Sequence, residues 1–107
     1  MNTATEKARE IKFVATAIKW FDKVNGNTYH SVRVVRCKDG KTAYGAFGYG
    51  YGEQYKQSAY GAMEEAGFLP KEYSGDNAYK YERENNYPIE WVVSYGLKRD
   101  CIANGKA

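Results

Sequence analysis

Leucine occurs twice in the 107 residues, histidine once, and cysteine, proline, methionine and tryptophan twice each. Leu, Ile, Val and Phe together number only 17, too few for an aliphatic core of ordinary composition. A single histidine, with two cysteines 64 positions apart, excludes the spaced Cys/His patterns of a zinc site. No metal and no cofactor is therefore expected. No apolar run approaches the length of a membrane-spanning helix, and the first ten residues lack the apolar stretch of a signal peptide. The expected location is cytoplasmic, in a host cell, with Cys37 and Cys101 as reduced thiols. No block of five like charges occurs, which excludes a basic arm or an acidic tail.

Tyrosine is what the chain has in abundance. There are 11, among 17 aromatic residues, and they take over the packing that leucine does elsewhere. A net charge of only +3 and this aromatic content argue for folding rather than disorder. A mass of 12.1 kDa provides for one core, so residues 1–107 are read as a single domain. Residues 1–9 read as a lead-in and 101–107 as a loose tail.

The residues between these ends divide by periodicity. Positions 11–22 are β-branched and aromatic and favour a strand. Asn25-Gly26 is a hairpin turn signal, residues 28–37 form the return strand, and Lys38-Asp39-Gly40-Lys41 is a second turn. A third strand runs over 42–49. From Glu53 to Ala66, Tyr55, Ala59, Ala62, Met63 and Ala66 recur at helical spacing, with Gly67 and Pro70 as stop signals. Residues 70–87 read as a long loop with a helical turn near 77–84. After Pro88 the alternation of Ile89, Trp91, Val93, Tyr95 and Leu97 with their neighbours describes a strand, with Trp91 and Val93 in or beside the core. The fold class is α+β: an antiparallel β-sheet in β-β-β-α-β order, one main helix packed on one face.

A two-residue turn at Asn25-Gly26 sets Trp20 opposite Ser31 and Ile18 opposite Arg33. One face then carries Phe13, Ala15, Ala17, Val32 and Val34. Its alanines admit a helix, so the helix goes there. The other face carries Ile18, Trp20, Tyr29 and Arg33 without evident cover, which marks it as a contact surface. Tyr49 and Tyr51 join the candidate partner-binding set because tyrosine is favoured at interfaces. An alternative nucleic-acid set comprises Lys19, Arg36, Lys80, Tyr81 and Arg83, although Glu82 and Glu84 dilute it.

Constellations for catalysis are missing. His30 and Cys37 are seven positions apart on one strand, about 23 Å, too far for proton transfer. No serine lies in a G-x-S-x-G elbow. The glycines of residues 45–52 precede a helix, but no Gly-Lys-Ser/Thr follows and Glu53 repels an anion. Gly61 inside the helix suggests a close contact there. No enzymatic activity is expected.

The order of strands and helix resembles the latter part of a double-stranded-RNA-binding domain. Here Glu53-Gln54-Tyr55-Lys56 stands where that family opens its helix with basic residues, so no RNA-binding residue is carried over. Residues 25–31 (Asn-Gly-Asn-Thr-Tyr-His-Ser) and 49–55 (Tyr-Gly-Tyr-Gly-Glu-Gln-Tyr) resemble short accessory proteins of phages and other mobile elements, over about residues 18–66. That resemblance implies a genetic setting rather than a mechanism. The functional expectation is a non-catalytic binding protein that occludes a host or defence protein. A second copy of the chain and a weakly bound nucleic acid are the alternative partners.

Overall fold

The computed structural model describes residues 9–107, so the expected lead-in lies, apart from Arg9, outside the described residues. Three strands come first: β1 (Phe13–Asp22), β2 (Asn27–Arg36) and β3 (Thr42–Tyr49). Helix α1 (Gln54–Glu65) follows, within a residue of the expected 53–66. Residues 70–87 hold two 3-10 turns, Lys71–Tyr73 and Gly75–Asn77, and the short helix α2 (Lys80–Glu84), where a helical turn was expected. Strand β4 (Ile89–Tyr95) and helix α3 (Lys98–Asn104) complete the chain.

The class is α+β, but the sheet is mixed. Its order is β3-β2-β1-β4, and β4 runs parallel to β1. The reason is parity. Successive antiparallel strands send β3 in the direction of β1, and α1 returns the chain to the end where β1 begins. A strand leaving that end runs parallel to β1 and β3 at either edge of the sheet. The purely antiparallel expectation fails on this count.

The first hairpin closes with a four-residue turn, residues 23–26, rather than two. Asp22 is the cause. Its carboxylate accepts hydrogen bonds from the backbone N–H groups of Val24 and Asn25 and from the Asn25 side chain, at 3.0, 3.3 and 2.8 Å. Those bonds hold its carboxyl below the usual carboxylate range, the Asn25 side chain foremost. Trp20 consequently faces Tyr29, and Ile18 faces Ser31. The slip is two residues, an even number, so every side chain stays on its expected face. Phe13, Ala15, Ala17, Val32 and Val34 are buried in one cluster with Ala59, Ala62 and Met63 of α1. Each large side chain in it contributes about 1.5–3 kcal/mol by leaving water. Gly61 lies on the exposed side of α1 with open space around it, so the expected close contact is absent.

The opposite face is not bare. α3 lies across β1, β2 and β3, and the expected loose tail is a docked helix. Cys101 is fully buried, and its thiol reaches the Ile18 carbonyl at 3.1 Å. The Ser31 hydroxyl donates to the Cys101 carbonyl, and the Asn104 side-chain amide donates to the Thr16 carbonyl at 3.1 Å. Gly105 completes the fit: a side chain there would meet the Gly45 carbonyl oxygen at 2.7 Å. Trp91 packs partly buried against the main core, but Val93 is 40% exposed, because β4 is an edge strand whose second half neither α1 nor α3 covers.

Candidate interaction surface

One irregularity in the β2–β3 pairing builds the site. His30 pairs with Gly48, but Val32 pairs with Gly45, so Ala46 and Phe47 both stand opposite Ser31. This bulge reverses the alternation of β3. Without it Tyr44 and Tyr49 would point to opposite faces. With it, Tyr44 lies under the Arg33 guanidinium at 5.2 Å, and Tyr49 meets Tyr29 edge-on at 5.8 Å, both on the face opposite α1.

Four rings gather where α3 ends its cover. Trp20 and Tyr29 are 5.6 Å apart, Trp20 and Phe47 are 6.3 Å apart, and Tyr29 stacks on Phe47 at 5.1 Å with 3° between planes. The Lys98 ammonium sits 5.2 Å over the Trp20 ring and ties the start of α3 to the cluster. Trp20, Tyr29 and Phe47 are half-buried, whereas Tyr49 is 60% exposed. Such a patch offers rigid aromatic area at low entropic cost.

Of the six expected partner-binding residues, Trp20, Tyr29 and Tyr49 come together here. Ile18 lies beside the α3 connection, with Gly96 against it. Arg33 is engaged within the chain: its guanidinium donates to the carbonyls of Asn104, Ala103 and Lys106 at 3.3, 3.3 and 3.2 Å. It thereby caps the C-terminus of α3, where a cation is favoured. Neither residue is free for a partner, because α3 occupies that part of the face. Tyr51 is exposed on the turn before α1, outside the ring cluster. Phe47 was missed because simple alternation places it with the core; only the bulge turns it outward.

The nucleic-acid set disperses. Lys19 belongs to the α1 face, 5.2 Å over Tyr55. Arg36 forms a two-bond ion pair with Asp39 at 3.1 and 2.7 Å and lies 4.6 Å over Phe68. That pair holds the Asp39 carboxyl down to about 2. Lys80 and Arg83 lie on α2, but Tyr81 between them is only 6% exposed and packs edge-on against Phe13 and Tyr73. A core tyrosine cannot stack on a base without unfolding its surroundings.

Two further polar constellations are structural. His30 is buried, its Nδ1 donating to the Gly50 carbonyl at 3.1 Å and its Nε2 meeting the Ser58 hydroxyl at 2.6 Å. Both ring nitrogens are thus occupied by the join between β2 and α1. The buried Glu82 carboxylate accepts from the Tyr60 hydroxyl at 2.5 Å and from the Trp91 indole N–H at 2.9 Å. Burial, with the Glu82 bond, pushes the Tyr60 hydroxyl well above the usual phenol range. A cavity of about 570 Å³ opens between Phe13, Arg36, Cys37 and Phe68, but its Arg36 is the one already bound to Asp39. Cys37 is exposed and Cys101 buried, both free, and burial pushes the Cys101 thiol up. Among the described residues no cluster of metal-ligating side chains occurs, and no helix is long and apolar enough to cross a membrane.

Comparison with known protein families, with curated proteins and with solved structures finds no match.

Proposed function

We propose that the chain is a non-catalytic binding protein that occludes a host or defence protein through the cluster of Trp20, Tyr29, Phe47 and Tyr49. The observation that carries this reading is the contact of four aromatic rings on a sheet face of which α3 covers the neighbouring part. Interface energy concentrates in residues of this kind, held rigid and ringed by other contacts. The phage or mobile-element setting rests on the two stretches that resemble accessory proteins. Tyr29 of one stretch pairs directly with Tyr49 of the other, so both lie at this end of the sheet. Lys98 is the one cation over the cluster's rings among the described residues, which favours a protein partner over a nucleic acid.

The test is capture from a host lysate, with and without nuclease. Tyr49→Ala and Trp20→Ala should abolish capture of a discrete protein, whereas Tyr79→Ala, exposed on a different part of the molecule, should not. Capture that survives both cluster substitutions, or that nuclease abolishes, overturns the reading.

A further inference from the structure

A different surface carries a second binding property, independent of the aromatic cluster. β4 is an edge strand, and among the described residues nothing pairs with its outer side. The directions of its backbone groups follow from the contacts at its two ends. The Gly96 N–H donates to the Lys19 carbonyl, and the Pro88 carbonyl accepts from Lys12, so even-numbered positions face β1. The odd-numbered positions, Ile89, Trp91, Val93 and Tyr95, turn their N–H and C=O groups outward. Ile89 is satisfied there by Arg9, whose guanidinium donates to its carbonyl at 2.8 Å. Beyond that cap no described residue pairs with the edge.

The open half lacks the usual protections of an edge. Residues 91–95 contain no lysine, no proline and no bulge. Apolar side chains are exposed on both faces: Val92 is 47% exposed on one, and Val93 and Tyr95 are 40% and 70% exposed on the other. A helix or groove can cover one face of a strand. Only another strand, continuing the sheet, covers both.

We infer that the occupant is a second copy of this chain, whose β4 pairs antiparallel with this one about a two-fold axis at Val93. Charge is balanced within each copy: Glu90 is ion-paired with Arg9 at 3.5 Å, and Arg99 with Asp100 at 3.3 Å. The orientation follows from the backbone, because antiparallel ladders are the more stable per residue and let residues 91–95 meet the same five residues in reverse order. The outward N–H and C=O of Val93 make it a hydrogen-bonded pair with its own copy. The same register places Trp91 opposite Tyr95 of the second copy, twice over, and aromatic cross-strand pairs are favourable. Two four-stranded sheets become one of eight, and both exposed faces of β4 gain neighbours.

Sedimentation and light scattering over a dilution series of the full chain test this. The wild type should pass reversibly between dimer and monomer. Val93→Lys places like charges at the axis, and Val93→Pro removes an N–H that β1 does not use; each should weaken association about tenfold or more. A retained circular-dichroism spectrum and melting transition in either variant shows that the loss is one of pairing. In hydrogen exchange, the amides of Trp91, Val93 and Tyr95 should gain protection as concentration rises, while those of Val92 and Ser94 stay protected throughout. A wild type that remains monomeric at the highest concentration, or a dimer indifferent to Val93→Lys, overturns the inference.

Discussion

Tyr29 and Phe47 stack within 3° of parallel, yet a regular strand would point Phe47 to the other side of the sheet. The bulge at Ala46 and Phe47 is therefore what assembles the working face, and it has a measurable consequence. Deleting Ala46 leaves Phe47 alone opposite Ser31, so regular alternation then keeps Phe47 and Tyr49 on the face opposite α1. The expected outcome is a cooperative melting transition with the ring cluster intact, because an even number of steps then separates Tyr44 from Tyr49. Loss of cooperative unfolding in that deletion would show that the extra residue is itself required.

Tyr49 and Trp20 should separate binding from folding. Tyr49 is 60% exposed, so Tyr49→Ala should leave stability within about 0.5 kcal/mol while weakening partner binding tenfold or more. Trp20 is half-buried among Tyr29, Phe47 and Lys98, so Trp20→Ala should cost about 1–3 kcal/mol as well as binding. Denaturant unfolding and titration calorimetry on the same samples decide this. Equal stability losses in the two variants would contradict it.

Arg33→Ala should loosen α3. It removes hydrogen bonds to the helix's last two carbonyls, Ala103 and Asn104, and to the Lys106 carbonyl just beyond. The expected cost is about 1–3 kcal/mol, and the most direct sign is chemical. Cys101 is fully buried under α3, so its reaction with a thiol reagent should accelerate in the variant, while Cys37 reacts at its former rate. An unchanged Cys101 rate would mean that Ser31 and Asn104 hold the helix unaided.

Stability should fall in alkali because of Tyr60. Its hydroxyl titrates above the ordinary value of 10.0 in the folded chain. Folded and unfolded states are both protonated below that value, so the contribution is complete there. As pH rises past it, the unfolded chain ionises first and is favoured; the contribution is lost progressively until the folded value is passed. Melting temperature should therefore decline above pH 10, and Tyr60→Phe should flatten that decline. An alkaline limb as steep in Tyr60→Phe as in the wild type would exclude this hydroxyl as its source.

Glu82→Leu should be among the most destabilising single changes, at about 2–5 kcal/mol. It leaves the buried Tyr60 hydroxyl and Trp91 indole without their acceptor. Glu82→Gln keeps an acceptor and should lose less. Chemical unfolding monitored by tryptophan fluorescence distinguishes the two, and equal losses would show that the charge, not the acceptor, matters.

Local chemistry by itself determined the strands, the helix bounds and the two faces of the first hairpin. Phe13, Ala15, Ala17, Val32 and Val34 belong together for any even register, so the burial pattern survived the slip that Asp22 imposes on the turn. The aromatic character of the second face was likewise legible in Trp20 and Tyr29. Helix α3 was not, because its seven residues have no apolar stripe. It is held by Ser31, Arg33 and Asn104, groups that meet only across about 70 residues of chain. The exposure of Val93 was hidden for a related reason: alternation names the side a residue faces, but only the packed position of its strand decides whether anything stands on that side. Tertiary structure alone likewise made the bulge that turns Phe47 outward, since pairing with β2, rather than any local preference of β3, sets where the alternation breaks.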